Sequence, residues 1–181
     1  MPSADPGALR VRPADVEAWF AELGLEPLER ADRDSVTSWD LVLDGHRRFD
    51  LRVTVILDPS LGLICWAHYA PPISDLFRKS YRRLLRWNDE FPFAKFSIGE
   101  DERPQLAVEV SLVAVGGDGL GLALARIVGV ADALFDETAA WLWIGGRVPD
   151  QSDRRCRNDA LLERYASRLP ELLGTLVEAP A

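Results

Sequence analysis

Residues 39–57 read Trp-Asp-Leu-Val-Leu-Asp-Gly-His-Arg-Arg-Phe-Asp-Leu-Arg-Val-Thr-Val-Ile-Leu. Two runs of alternating apolar and polar residues flank an Asp-Gly step. This is the pattern of a β-hairpin with one buried face on each strand. Because the side-chain period of a strand is two, parity selects the loop. A two-residue turn at Asp44-Gly45 sets Leu41 opposite Arg48 and mixes the faces. A three-residue loop, Asp44-Gly45-His46, sets Leu41 opposite Phe49 and Trp39 opposite Leu51, so the odd loop is expected.

The same parity extends outward. Asp58-Pro59-Ser60 makes the next turn, and Leu63 to Tyr69 reads as a third strand with Leu63, Cys65, Ala67 and Tyr69 on the core face. Ile56, Ile64 and Trp66 then fall on the opposite face, which a lone antiparallel sheet leaves wet. Upstream, residues 1–12 read as a loosely held tail. Pro13 opens a helix running to about Leu23, with Val16, Trp19, Phe20 and Leu23 on one face and Gly24 as its stop.

Downstream, Pro71-Pro72 breaks the sheet and Ser74 is placed to cap a helix from Asp75 to about Asp89. Phe77, Tyr81, Leu84, Leu85 and Asn88 line one side of it, while Arg78, Lys79, Arg82, Arg83 and Arg86 crowd the rest. A second hairpin follows, with Ala94, Phe96 and Ile98 set against Leu106, Val108 and Val110. Gly116-Gly117-Asp118-Gly119 opens a long amphipathic helix to about Trp143, with Asp118 read as its N-cap, and Gly145-Gly146 ends it. A last amphipathic helix is expected over Asn158 to Leu173, kinked at Pro170. The fold class is therefore α+β: helix, three-stranded antiparallel meander, helix, β-hairpin, long helix, plus an appended C-terminal helix. The domain reading is a tail at 1–12, an α+β domain at 13–146, and a linker and helix at 147–181 packing on the same domain.

Composition narrows the function classes. The 181 residues are 48% apolar and 28% charged, enough to bury a core and unlike a disordered chain. No apolar run approaches the roughly 20 residues of a membrane span, and the N-terminus lacks the pattern of a signal peptide. A cytoplasmic location with no membrane insertion is expected. A net charge of −8 and a pI near 4.8 oppose nucleic-acid binding, which needs a surplus of Lys and Arg on one face.

Residues of catalytic type are present without a convergent arrangement. Cys65 and Cys156 are too few for a disulfide framework or a thiolate metal site. Cys65 reads as a core residue. Cys156 lies among Arg154, Arg155 and Arg157, cations able to lower a thiol pKa. His46 falls in the hairpin loop and His68 on the second face of the third strand. Neither stands beside a nucleophile, so no catalytic residue, metal ligand or cofactor site is assigned. The stretch Gly116–Gly121 follows a strand and opens a helix, the setting of a phosphate-binding turn. Its spacing matches neither G-x-G-x-x-G nor a P-loop, and Asp118 puts a carboxylate where phosphate would sit. A small-ligand or nucleotide-binding domain built on residues 116–121 is the alternative function. Gly121, Ala125 and Gly129 give the long helix a smooth strip, suited to packing on the sheet or to a helix across a dimer.

Two features point toward another protein. Ile56, Ile64 and Trp66 form an apolar surface that needs a cover, and the cluster Trp141–Ile144 adds a second; the chain's own last helix is the competing cover. Arg78, Arg82 and Arg86 stand ready for acidic groups.

Tyr81-Arg82-Arg83-Leu84-Leu85-Arg86-Trp87-Asn88, followed by Phe93-Ala94-Lys95-Phe96-Ser97 and a hairpin, resembles the YbjN family of bacterial proteins. In that family a helix ending in Leu-x-x-Asn precedes a strand with a small-Lys-aromatic step, matched here by Asn88, Lys95 and Phe96. The resemblance covers roughly Pro13 to Trp143 and leaves the helix after Asn158 outside it. It implies the fold of type III secretion chaperones. It also implies a homodimer that binds a segment of another protein, or a regulator. A non-enzymatic protein is expected on that resemblance, and from the residues themselves the partner is expected against Ile56, Ile64 and Trp66, with Arg78, Arg82 and Arg86 available to its acidic groups.

Overall fold

The computed structural model describes residues 11–72, 78–111, 113–143 and 146–169. Its elements run α1 (Pro13–Glu22), β1 (Glu29–Arg33), β2 (Val36–Leu43), β3 (Leu51–Asp58), β4 (Gly62–His68), α2 (Arg78–Glu90), β5 (Lys95–Ile98), β6 (Pro104–Ser111), α3 (Gly117–Ala133), α4 (Phe135–Leu142) and α5 (Asp159–Tyr165). The strands form one antiparallel sheet in the order β1-β2-β3-β4-β6-β5. The α+β class and the helix–meander–helix–hairpin–helix order hold, with one strand more than the sequence suggested.

That extra strand, β1, is exposed at every position, so it offers no apolar alternation to read. It is an edge strand made of charge, and charge on an edge discourages pairing with other chains. Arg30 bonds both Asp32 and Glu17, tying the edge to α1.

The central hairpin keeps its parity and shifts its register. Trp39 faces Val55, Leu41 faces Val53 and Leu43 faces Leu51, four residues out of step with a three-residue loop. Residues 44–50 form the connection instead, and Phe49 belongs to the loop. Side chains hold this loop where a ladder was expected. The Asp132 carboxylate on α3 accepts the amides of His46, Arg47 and Arg48 at 2.7, 3.1 and 2.7 Å. Asp44, only 1% exposed, accepts the Asp50 amide at 2.9 Å.

Strand alternation puts Trp39, Leu41, Leu43, Leu51, Val53, Val55, Leu57, Leu63, Cys65, Ala67, Leu106 and Val108 on one buried face. Helices α1, α2 and α3 bury their apolar sides against it in a single core. In α2 the buried residues are Leu84 and Trp87 at 3% and 2% exposure, whereas Leu85, expected inward, is 67% exposed. The arc Ser80–Leu84–Trp87–Phe91 is the one that faces Phe96. The Ser74 cap and Phe77 lie outside the described residues, as do residues 1–10 and the Pro170 kink.

Asn88 explains why this helix and the next strand travel together. Its amide donates to the Phe96 carbonyl at 3.1 Å and its carbonyl accepts the Phe96 amide at 2.5 Å. The side chain thus pairs β5 as a neighbouring strand would. Asn88→Ala leaves two backbone groups at a half-buried edge without partners. It is expected to lower unfolding free energy by about 2 kcal/mol in urea titration, with Asn88→Asp intermediate.

The long helix expected to reach Trp143 is two helices, broken at Leu134 with φ −92° and ψ 8°. The buried Thr138 hydroxyl donates back to the Leu134 carbonyl at 2.8 Å, beside the Thr138 amide at 3.1 Å, and lies 3.2 Å from the Tyr69 hydroxyl. Asp136 and Glu137 in the first turn of α4 favour a new N-terminus there. Gly116, and not Asp118, occupies the N-cap position of α3.

Candidate protein-binding surfaces

The face of the sheet turned away from the core carries its own side-chain rows, read directly from the register. Ser38, Ile56, Ile64 and Glu109 form one row, and Asp40, Thr54, Trp66, Ala107 and Lys95 the next. Ile56 and Ile64 are direct cross-strand partners, and Trp66 lies one row along, so the three make one contiguous half-buried patch. The His68 ring stands edge-on to Trp66 at 4.6 Å and 74°, extending the patch. Its Nδ1 is buried without a hydrogen-bond partner among the described residues. Around this apolar centre stand Asp40, Arg52, Lys95 and Glu109, and the Thr54 hydroxyl donates to Asp40 at 2.6 Å. An apolar centre with a polar rim of mixed sign is the anatomy of a protein–protein contact.

The basic residues lie elsewhere. Arg82 and Arg86 are exposed on the outer side of α2, and Lys79, Arg82, Arg83 and Arg86 line a groove of about 260 Å³. Arg83 pairs with Glu137. Arg78 opens the helix, and its side chain lies outside the described residues. Because Trp87 packs at 5.3 Å on Phe96 of the core face, α2 sits on the helical side of the sheet. Arg82 and Arg86 are therefore brought to each other and not to Ile56, Ile64 and Trp66.

The second apolar cluster is largely spent inside the molecule. Trp141 lies 5.6 Å from Trp87, and Trp143 lies 5.3 Å from Phe135 with the Arg48 guanidinium 5.8 Å over its ring. Ile144 lies outside the described residues. The described part of the last helix covers neither cluster. It packs on α3, where a Cβ added at Gly121 would lie 2.4 Å from the Tyr165 hydroxyl.

Packing also accounts for the glycine-rich turn. A Cβ at Gly117 would meet Trp19 at 3.1 Å, and one at Gly119 would meet the Ala114 carbonyl at 2.6 Å. Asp118, in the first turn, is paired with Arg168 at 2.9 Å. These glycines admit neighbouring side chains and backbone, and the local carboxylate opposes a phosphate.

A polar cluster that sequence reading missed joins the 44–50 loop to the C-terminal segment. Asp44 accepts Arg157 Nε at 2.7 Å and Nη2 at 2.9 Å, while Asn158 bonds the Asp44 amide and carbonyl at 2.7 and 2.8 Å. Arg154 and Arg157 both reach Asp50. Burial pushes Asp44 up, but the bonds from Arg157 and from the Asp50 and Arg157 amides outweigh it and hold its carboxyl below the ordinary value. Arg154 first, with Arg157, holds Asp50 below its ordinary value, against a smaller cost of burial. Cys156 departs from expectation. Arg154 and Arg157 are turned to carboxylates, the Cys156 thiol donates to the Asp44 carbonyl at 3.1 Å, and burial raises its pKa. Burial likewise pushes the Cys65 thiol up to about 12.

The sign of the acid response follows from these depressed carboxyls. Their contribution is complete above the unfolded carboxylate pKa near 4 and is lost as pH falls through the folded values. Wild type is therefore expected to exceed Asp44→Asn in stability at pH 7. That gap should narrow in urea titrations at pH 4 and again at pH 3.

Among the described residues no three His, Cys, Asp or Glu converge as metal ligands, and no helix is long and apolar enough to cross a membrane. No curated protein matches the chain. Among solved structures the chain is similar to the Yersinia pestis type III secretion chaperone SycH, determined in complex with a stable fragment of YscM2. The identity is 19% and the TM-score 0.47, over 67% of this chain and 97% of that one. The model of the YbjN family, described as a putative bacterial sensory transduction regulator, matches residues 12–140. With α1 to α3 and most of α4 inside that match, which spans well over half of the chain, this chain belongs to the YbjN family.

Proposed function

We propose that this protein is a non-enzymatic protein-binding regulator or chaperone-like module of the cytoplasm, acting as a homodimer. It holds a segment of another protein against the outer face of its sheet. One observation carries the reading: Ile56, Ile64 and Trp66 are contiguous at the centre of a polar-rimmed sheet face on the side away from the core. Residues 13–146 form the binding domain in this proposal, with 1–12 as a tail and 147–181 as an appendage on the same domain.

The basic helix joins the reading by way of the sheet edge. The row Trp66–Ala107–Lys95 runs from the patch to edge strand β5. Two strand spacings cover about 10 Å, three residues of extended chain. A segment crossing β5 there arrives beside α2, where Arg78, Arg82 and Arg86 meet its acidic groups. The test compares partner retention by the full chain and by an Ile64→Ser/Trp66→Ala variant. A folded variant that keeps every partner contradicts the proposal.

A further inference from the structure

Strand β1 ends the sheet with a single strand neighbour, β2, and its other edge pairs with no strand among the described residues. All five residues of β1 are exposed, so that edge lies in solvent. The opposite end of the sheet is stoppered, because the Asn88 side chain occupies the Phe96 amide and carbonyl of β5. Pro27 before β1 and Asp34 after it, at φ 52°, keep the open edge short.

A free strand edge offers the same backbone bonds to any extended chain, so side chains decide what it accepts. β1 reads Glu29-Arg30-Ala31-Asp32-Arg33, and its charges are complementary to themselves about Ala31. Laid antiparallel on a second copy with Ala31 facing Ala31, it opposes Glu29 to Arg33 and Arg30 to Asp32, each pair occurring twice. The faces agree as well. Arg30 and Asp32 stand beside Trp39 and Thr37 on the buried side of the sheet, and Glu29, Ala31 and Arg33 share the outer side. A slip of one residue sets Glu29 against Asp32, or Arg30 against Arg33. A slip of two sets Arg30 or Asp32 against itself. Opposite charges across an antiparallel pair stabilise it and like charges directly opposite destabilise it, so one register is selected. The charge that turns away other strands fits this one. Among the described residues Glu29 and Arg33 have no ion-pair partner, which leaves both available.

We propose that β1 is the dimer edge: two copies join by antiparallel β1–β1 pairing about a twofold axis at Ala31, running their six-stranded sheets into one. This rests on the homodimer reading above and gives it an interface. Because the axis stands perpendicular to the sheet, the Ile56, Ile64 and Trp66 patches of both copies open on the same side. Five residues from each copy make a small interface of backbone bonds and exposed ion pairs, so the dimer dissociates on dilution and more readily in high salt.

Sedimentation equilibrium of the full chain at low and high salt tests it. Wild type is expected to dimerise, and Glu29→Arg or Arg33→Glu, each setting like charges opposite, to weaken association at least tenfold. Both positions are exposed, so both variants keep the fold. Mixing the two variants in equal amounts, or combining both changes in one chain, restores every opposite pair. Association is then expected to return to within about threefold of wild type. A dimer that neither single change weakens overturns the β1 edge and leaves the homodimer reading standing. A loss that the mixture does not restore overturns the register. A wild type that stays monomeric at every concentration overturns both the edge and the homodimer.

Discussion

Gly45→Ala is expected to lower the unfolding free energy by about 3 kcal/mol, the largest effect foreseen for a single added carbon in this chain. The new Cβ would lie 2.1 Å from Asp132 Oδ1 and 2.5 Å from its Cγ. Asp132 cannot step aside without releasing the amides of His46, Arg47 and Arg48, which together pin the loop, and the part-buried Arg48 amide alone costs about 1 kcal/mol or more when abandoned. The damage is local to the loop, so urea titration should show a lower midpoint with an unchanged slope. Gly129→Ala is the matched control. Its Cβ meets nothing nearer than 3.5 Å, and replacing a helical glycine is worth about 0.5–1 kcal/mol in its favour. Stability of that variant should hold or rise.

The second large effect concerns binding. Ile64→Ser/Trp66→Ala is expected to weaken partner binding at least 100-fold. Apolar side chains of this size contribute about 1.5–3 kcal/mol each when fully covered, and interface centres concentrate the energy. Stability should fall by only about 1 kcal/mol, because both side chains are half-exposed and rest on no helix. Calorimetric or fluorescence titration of the isolated partner gives the ratio. A change under threefold in a folded variant would remove the sheet face from the account.

Much of the fold could be read from residue order, and the reason is periodicity. Alternation put Trp39, Leu41, Val53 and Cys65 on one face and Ile56, Ile64 and Trp66 on the other, which is where they lie. Parity settles the face of a strand but not its register, so it could not see that Asp44 and Asp132 hold residues 44–50 out of the ladder. Acceptors 88 residues apart leave no local trace. β1 was illegible for a simpler reason: a strand exposed on both faces has no pattern. In α2 the apolar residues Leu84, Leu85 and Trp87 are crowded, and choosing the buried pair required knowing that Phe96 is their neighbour. The break at Leu134 falls within an otherwise continuous amphipathic stripe, which carries no mark of it.

The candidate site shows the same division. The patch was legible because it lies within consecutive strands. Its separation from Arg82 and Arg86 was not, since the side of the sheet on which α2 packs is a tertiary fact. The strip at Gly121, Ala125 and Gly129 was visible, but its occupant was misread. Sequence suggested the sheet or a dimer partner, and Tyr165 and Leu169 of the same chain fill it.

The most direct test of the central claim is site-specific photo-crosslinking from position 64 of the full chain, in the cells that make it, with position 85 on the exposed side of α2 as control. The account predicts an adduct with a different protein from position 64 that disappears when Trp66→Ala is added. No adduct from position 64, or an adduct that persists unchanged with Trp66→Ala, would contradict the claim that this sheet face holds the partner.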